Sequence, residues 1–253
     1  MAALSVENLS IAFGGIRAVD GVSFEAAAGA VTAIIGPNGA GKTTLFNMMS
    51  GVYRPTGGRV SLFGEDVTGL PPQGLALRGL SRTFQNLQVF FRMSAAENVM
   101  VGTHLSARRG VWRHLLPLPA LFRAERASYD AACAELAHVG LEGEADRPAG
   151  ALPYGSLKQL EIARALAAGP KALLLDEPAA GCNGAETARL SALVRRLADE
   201  GLAIVLVEHD MAMVMRVSDR VVVLDQGRVI ADGAPAQVRA DPAVRSAYLG
   251  GTS

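Results

Sequence analysis

The chain has 253 residues, half of them hydrophobic, with 24 Lys and Arg balanced by 24 Asp and Glu, which is enough for one or two domains with a sizeable core. The zero net charge argues against a nucleic-acid footprint, which shows as a strongly basic domain or stripe, and no apolar run approaches the ~18 residues needed to span a bilayer. Two cysteines, Cys133 and Cys182, and an N-terminus without the basic and apolar regions of a secretory signal point to the reducing cytosol rather than to a disulfide scaffold.

In chain order, short β-type runs at 4–6 and 22–24 lead to the compact apolar stretch 31–35, which ends at Gly36 and reads as a buried strand. A helix is expected from about 41 to 50, stopped by Gly51. The turn-rich RPTGG at 54–58 precedes a hairpin-like pair, and from about Pro71 to Arg147 the pattern becomes mainly helical, expected as a helical insertion. A helix at 157–168, an apolar run at 172–175, a helix at 185–200, an apolar run at 203–207 and a helix after Asp210 follow. Strands alternating with helices predict an α/β fold around a largely parallel sheet. The closing VVVLDQGRVIADG carries two β runs around a Gln-Gly turn, the pattern of a small antiparallel element.

Two stretches carry chemistry. Gly36-Pro37-Asn38-Gly39-Ala40-Gly41-Lys42-Thr43, followed by Thr44, fits G-x-x-x-x-G-K-S/T and lies between the predicted strand and helix, where that motif must lie. The glycines let backbone N–H groups turn inward as an anion nest, the helix N-terminus adds positive potential, and Lys42 can reach the outer phosphates. Thr43 is expected to offer its hydroxyl to Mg2+. Lys42 stands out further because Lys158 and Lys171 are the only other lysines. A Gly-rich turn with a chance lysine is the plain alternative, and the flanking elements weigh against it. The second stretch, LLLDEP at 173–178, sets Asp176 and Glu177 at the C-terminal end of an apolar strand, the edge where ligands sit in open α/β sheets. Asp176 is expected to hold Mg2+, directly or through water, and Glu177 to polarise a water for attack on a γ-phosphate. Alone, such a pair reads as a solvated turn; beside a phosphate loop it reads as a hydrolytic site.

GPNGAGKTT, TFQN around Gln85, LPYGS, LLLDEP and VEHD around His209 follow one another along the chain. In that order they resemble the ATP-binding subunits of ATP-binding-cassette (ABC) transporters, and the likeness covers nearly the whole chain. GPNGAGKTTLFN, LPYG with LEIARAL, DEPAAG and the C-terminal AYLG look most like the branched-chain amino acid importer subunits, as does the segment between Asn98 and Glu144. The resemblance implies a P-loop NTPase with a mainly parallel core sheet, an antiparallel β subdomain and a helical subdomain. Residues 1–85 and 169–253 would form the nucleotide-binding core and about 86–168 the helical subdomain. It also implies ATP and Mg2+ as ligands and a head-to-tail dimer, with a second copy or a paralogous ATPase, that sandwiches two ATP molecules. Separate integral-membrane permeases, indirectly an extracytoplasmic substrate-binding protein, no nucleic acid, and a place on the cytoplasmic face of the cell membrane complete the expectation.

Residue by residue, Gln85 resembles the loop glutamine that links Mg2+ and the attacking water to the membrane partner. His209 resembles the switch histidine on the γ-phosphate, and Phe13 the aromatic stacked on adenine, with core packing as its rival. Gly155, Ser156 and the amides that follow would clamp the γ-phosphate of a facing copy's nucleotide. Glu97, Phe90 and Phe91 would face the permeases' coupling helices, burial in the core being the blander reading of the two phenylalanines. The runner-up is a soluble ABC-type ATPase in cluster assembly, translation or repair. A GTPase or small-molecule kinase fares worse, since no Asn-Lys-x-Asp occurs.

The sequence also departs from the family pattern. Where Leu-Ser-Gly-Gly-Gln is usual, Leu152-Pro153-Tyr154-Gly155-Ser156 stands, so a hydroxyl is lost and Pro153 has no N–H to offer. Ser156 with Gln159 spells an S-x-x-Q capping box, which would occupy the serine hydroxyl in starting the helix. Asn183 stands where the family often carries Asp, keeping hydrogen-bonding capacity across an interface without the charge. Cys182 and Cys133 read as small buried hydrophobes.

Overall fold

The structure is a computed structural model that describes residues 2–103 and 118–249; the helical reading of 104–117 lies outside the described residues. Two long strands, β1 (Ala2–Phe13) and β2 (Ile16–Ala27), form an antiparallel hairpin. β1 also pairs with β4 (Gly57–Leu62), which turns back into β5 (Glu65–Asp66), giving a four-stranded antiparallel sheet of order β2-β1-β4-β5.

The second sheet contains β3 (Val31–Ile35), β6 (Leu80–Arg82), β7 (Ala172–Asp176), β8 (Ala203–Val207), β9 (Arg220–Asp225) and β10 (Arg228–Gly233), in the order β10-β9-β3-β8-β7-β6. Every neighbouring pair in it is parallel except the β9–β10 hairpin. Every position of β3, β7 and β8 is buried, and a continuous apolar run is what a parallel strand covered on both faces requires. Alternate residues serve the two faces. Ile34, Leu174 and Val205 join α1 (Lys42–Met49) and the antiparallel sheet in one core, through Phe46, Met49, Leu4, Leu9 and Phe24. Leu173, Leu175, Ile204 and Leu206 join the opposite core with α3 (Ala95–Gly102), α4 (Leu118–His138), α5 (Tyr154–Leu166) and α6 (Gly184–Asp199). Each fully buried Leu, Ile or Phe contributes roughly 1.5–3 kcal/mol, so the sheet is clamped from both sides. The remaining helices are α2 (Pro72–Ala76), α7 (Met211–Val217), α8 (Pro235–Ala240) and α9 (Pro242–Leu249).

Three expectations need correction. The stretch read as helical from about Pro71 contains β6, which pairs with β7 at the edge of the parallel sheet; at three residues it is too short to show a period. α5 begins at Tyr154, with Pro153 at its N-cap, so Ser156 lies inside the first turn and no capping box forms from it. Gln159 instead donates to the Val139 carbonyl at 2.7 Å, tying α5 to the end of α4. Cys133 and Cys182 are only partly buried.

Asn183 is used locally. As N-cap of α6 its side chain accepts from the N–H groups of Ala185 and Glu186, both at 3.0 Å, while Glu186 accepts from the Asn183 N–H at 2.9 Å. This reciprocal pair satisfies donors that the helix start leaves open. Asn183→Ala is expected to lower unfolding free energy by about 1 kcal/mol, readable as a lower denaturant midpoint; an unchanged midpoint would show that the cap is dispensable.

Candidate nucleotide site

The phosphate loop begins where β3 ends. A Cβ added at Gly36 (φ 152°) would lie 2.1 Å from the Leu224 carbonyl oxygen, and one at Gly41 (φ 98°), the N-cap of α1, 2.5 Å from that of Ala18. Only glycine fits these approaches, and the tight path leads directly into the first turn of α1. Lys42 is 6% exposed, and its ammonium donates to the carbonyls of Gly36 (2.7 Å) and Pro37 (2.9 Å). Burial pushes its pKa down, and the nearby Glu177 charge pushes it partly back. A buried cation held by its own loop in this way is poised for a stronger, anionic partner. Residues 38–44 line a cavity of about 280 Å3 together with Ala18, Gln85, Glu177 and His209.

Those last three residues come from segments far apart in sequence. β6, β7 and β8 are parallel neighbours, so their C-terminal ends open on one edge, and the residues just beyond each strand meet there. Gln85 donates from Nε2 to Glu177 Oε2 at 3.0 Å, and His209 Nε2 lies 3.0 Å from Glu177 Oε1. A carboxylate only accepts, so Nε2 carries the proton in the histidine pair. Glu177 has φ 48°, a left-handed conformation that costs a non-glycine residue about 1 kcal/mol or more and persists where the surroundings over-determine it. Here they do: its N–H donates to the Val207 carbonyl at 2.9 Å and both carboxylate oxygens have partners. Buried Glu208 fixes the flanks by accepting from Ala179 (2.8 Å) and His209 (2.9 Å) N–H groups. A positioned carboxylate with an amide and an imidazole on its two oxygens can serve as a water-activating base.

Several contributors carried no motif. Lys158, Glu161 and Arg164 project three residues apart from α5 and hold the backbone around Gln85: Lys158 donates to the Gln85 carbonyl (3.3 Å), Glu161 accepts from the Phe84 N–H (3.3 Å), and Arg164 donates to the Gln88 carbonyl. Burial pushes the Glu161 carboxyl up, offset in part by the Phe84 bond, and pushes the Arg164 guanidinium down. Three charges at this spacing inside the apolar LKQLEIARAL were the available signal. Arg82 ion-pairs with Asp176 at 2.7 Å. On α9, desolvation pushes the Tyr248 phenol up and the Gly36 backbone offsets part of that.

Other candidates stand apart from this cluster. Phe13 is exposed and meets Tyr53 edge-on, centroids 5.4 Å apart, rather than packing in the core. Phe90 and Phe91 are likewise exposed. The Glu97 carboxylate accepts from the Ser94 N–H at 2.7 Å, and Ser94 returns the bond at 3.1 Å, so Glu97 is committed to starting α3. Gly155 is buried and donates its N–H to Glu186 at 3.2 Å, while Ser156 is half-buried. Burial pushes the Cys182 thiol up, away from thiolate reactivity.

The family profile described as "ABC transporter" matches residues 19–180, and that described as "Branched-chain amino acid ATP-binding cassette transporter" matches 228–252. The chain is 46% identical over 248 residues to the high-affinity branched-chain amino acid transport ATP-binding protein BraF of Pseudomonas aeruginosa, covering 98% of this chain and 97% of the relative. It is 44% identical, at the same coverage, to the corresponding protein LivG of Escherichia coli. Among solved structures, an ATP-binding cassette of an ABC transporter in its ADP conformation superposes with TM-score 0.86 at 34% identity, over 99% of both chains. Sequence, fold and the edge on which the phosphate loop meets Glu177 agree: the chain belongs to the ABC transporter family, as an ATP-binding cassette.

Proposed function

We propose that this ABC ATPase powers the import of branched-chain or related amino acids through separate integral-membrane permeases. The near full-length likeness to BraF and LivG, with the branched-chain profile at 228–252, carries this reading. In it, residues 36–44 cradle the phosphates, and Lys42 exchanges its loop carbonyls for phosphate oxygens. The Thr43 hydroxyl, the Asp176 carboxylate and the Gln85 amide oxygen are hard oxygen donors that suit Mg2+. Among the described residues no group of three or more His, Cys, Asp or Glu is arranged to hold a metal ion by itself, so nucleotide phosphates would complete the coordination. When bound, the ion supplies charge neutralisation and orientation of the γ-phosphate. Glu177 takes the proton of the attacking water, Gln85 holds the carboxylate from one side, and His209 holds it from the other while reaching the γ-phosphate. Phe13 stacks on adenine.

Hydrolysis in this reading belongs to a dimer with a second copy or a paralogous ATPase. The N-terminal amides of α5, from Gly155 and Ser156 onward, would meet the facing subunit's γ-phosphate. Closure would then exchange the Glu186 carboxylate on Gly155 for a phosphate. The clamp of α5 on the Gln85 backbone makes motion of the helical subdomain, about 86–168, a motion of Gln85 against Glu177. An apolar groove of about 290 Å3, lined by Leu75, Leu80, Phe84, Val101 and Arg164 among others, offers the permease a seat, with exposed Phe90 and Phe91 nearby in sequence to Phe84. No helix among the described residues is long and apolar enough to cross a membrane. The permeases would hold the chain on the cytoplasmic face of the membrane, with a substrate-binding protein on the other side.

His209 is 47% exposed, so His209→Ala should fold normally, bind ATP within about twofold of the parent and lose about tenfold or more in turnover. Equal losses of binding and turnover, or loss of fold, would make it a structural histidine. Partnership is tested by capturing the tagged chain from native membranes in mild detergent and identifying what accompanies it by mass spectrometry. Multi-span permeases are expected; recovery with cytosolic partners alone would move the chain to a non-transport ABC ATPase.

A further inference from the structure

Arg82 is the last residue of β6, three positions before Gln85. Its side chain is 10% exposed and that of its partner Asp176 is 5% exposed. Nη2 donates to Asp176 Oδ2 at 2.7 Å, while Nη1 donates to Asn47 Oδ1 at 2.7 Å and to Ser50 Oγ at 2.6 Å. Asn47 belongs to α1, which begins at Lys42 and Thr43, and Ser50 is its C-cap. The guanidinium also faces the rings of Phe46 at 5.5 Å and Phe84 at 5.1 Å. One planar fork thus joins the end of β7 to the end of α1 through three acceptors, which a lysine's single ammonium on a flexible stem could not do in the same geometry. Its Nε is buried without a hydrogen-bond partner, a cost that an aliphatic side chain filling the same space would avoid.

We infer that Arg82 is a positioning residue for the metal-holding carboxylate: by fixing one oxygen of Asp176 to the helix that carries Thr43, it sets the geometry on which Mg2+-dependent nucleotide binding relies. The inference rests on the proposed reading of Asp176 as a Mg2+ ligand. Groups that orient a metal-binding carboxylate commonly change metal affinity about 10- to 100-fold when removed. Arg82 has the immobility for that role, because two ring faces and three hydrogen bonds hold it.

The test is the affinity of the full chain for a fluorescent ATP analogue, measured in EDTA and in Mg2+, for the parent, Arg82→Met, Arg82→Lys and Asp176→Asn, with thermal melts to follow folding. The parent should bind more tightly in Mg2+. Arg82→Met should keep its EDTA affinity within about twofold and lose about tenfold of the Mg2+ gain, Arg82→Lys should recover part of it, and Asp176→Asn should lose it. A purely structural arginine would lower the melting temperature but leave the Mg2+ gain intact. A folded Arg82→Met with the full gain, while Asp176→Asn loses it, overturns the inference and leaves the Asp176 reading standing. If Asp176→Asn keeps the full gain, that reading fails and the inference with it. Should Arg82→Met not fold, Asn47→Ala with Ser50→Ala decides: it leaves the guanidinium opposite Asp176 but frees it from α1, and an undiminished Mg2+ gain in this variant overturns the inference.

Discussion

Glu177→Gln is expected to bind ATP and to turn it over about 10²- to 10⁴-fold more slowly, the usual loss when a general base is removed. The amide cannot take the proton of an attacking water. It also presents an NH2 group where a carboxylate oxygen now accepts from Gln85 or from His209, each at 3.0 Å, so one of those donors loses its acceptor unless the Gln85 amide turns over. Binding should survive, because the phosphate loop and Lys42 are untouched and one negative charge beside the γ-phosphate is gone. With hydrolysis blocked, the ATP-bound dimer should accumulate and be seen by size-exclusion chromatography with ATP. Unchanged turnover would remove Glu177 from the chemistry.

Lys42→Ala is expected to weaken ATP binding by about 100-fold or more. Charge-assisted hydrogen bonds are each worth about 1.5–3 kcal/mol, so losing two at the low end is already about two decades of affinity. Two of the ammonium's three hydrogens already point at the carbonyls of Gly36 and Pro37, 2.7 and 2.9 Å away, so phosphate oxygens would find the donors in place. The variant should still fold, since alanine removes a buried charge and its desolvation cost together. A binding titration paired with a thermal melt separates the two effects. Ordinary ATP binding by a folded Lys42→Ala protein would mean that residues 36–44 do not cradle phosphates.

The elements legible from sequence were those whose physics is local or uniform. β3 and β8 matched the expected runs at 31–35 and 203–207 because every residue in them is buried, leaving no polar interruption to blur the ends. The β9–β10 turn was legible from Gln226 and Gly227, which both take positive φ, 45° and 78°. β1 and β2 were seen only at 4–6 and 22–24, because bulges shift their register at several points and break the period-two pattern elsewhere. Ser156 looked like a helix cap because the spacing to Gln159 is right, but Pro153 starts the helix one turn earlier.

The site was legible in its parts and not in its assembly. Gly36 to Thr44 announce a phosphate loop by spacing and by their place between strand and helix, whereas the meeting of Gln85, Glu177 and His209 depends on the order β8-β7-β6, which no single stretch of sequence contains; the role of Glu177 is readable from an acidic pair at a strand end beside that loop, and those of Gln85 and His209 only from resemblance. Arg82 left no signal, since its three acceptors, Asn47, Ser50 and Asp176, are up to 94 positions away in the chain. Lys158, Glu161 and Arg164 left a signal that lacked only a destination, the backbone of the Gln85 loop.

In the proposed function, hydrolysis at Glu177 drives amino-acid import. Its most direct measurement is uptake of labelled leucine, isoleucine and valine by cells of the source organism lacking this chain, complemented with the parent sequence or with Glu177→Gln. Uptake should fall without the chain, return with the parent and not return with Glu177→Gln. Uptake that is indifferent to loss of the chain, or restored equally by Glu177→Gln, would contradict it.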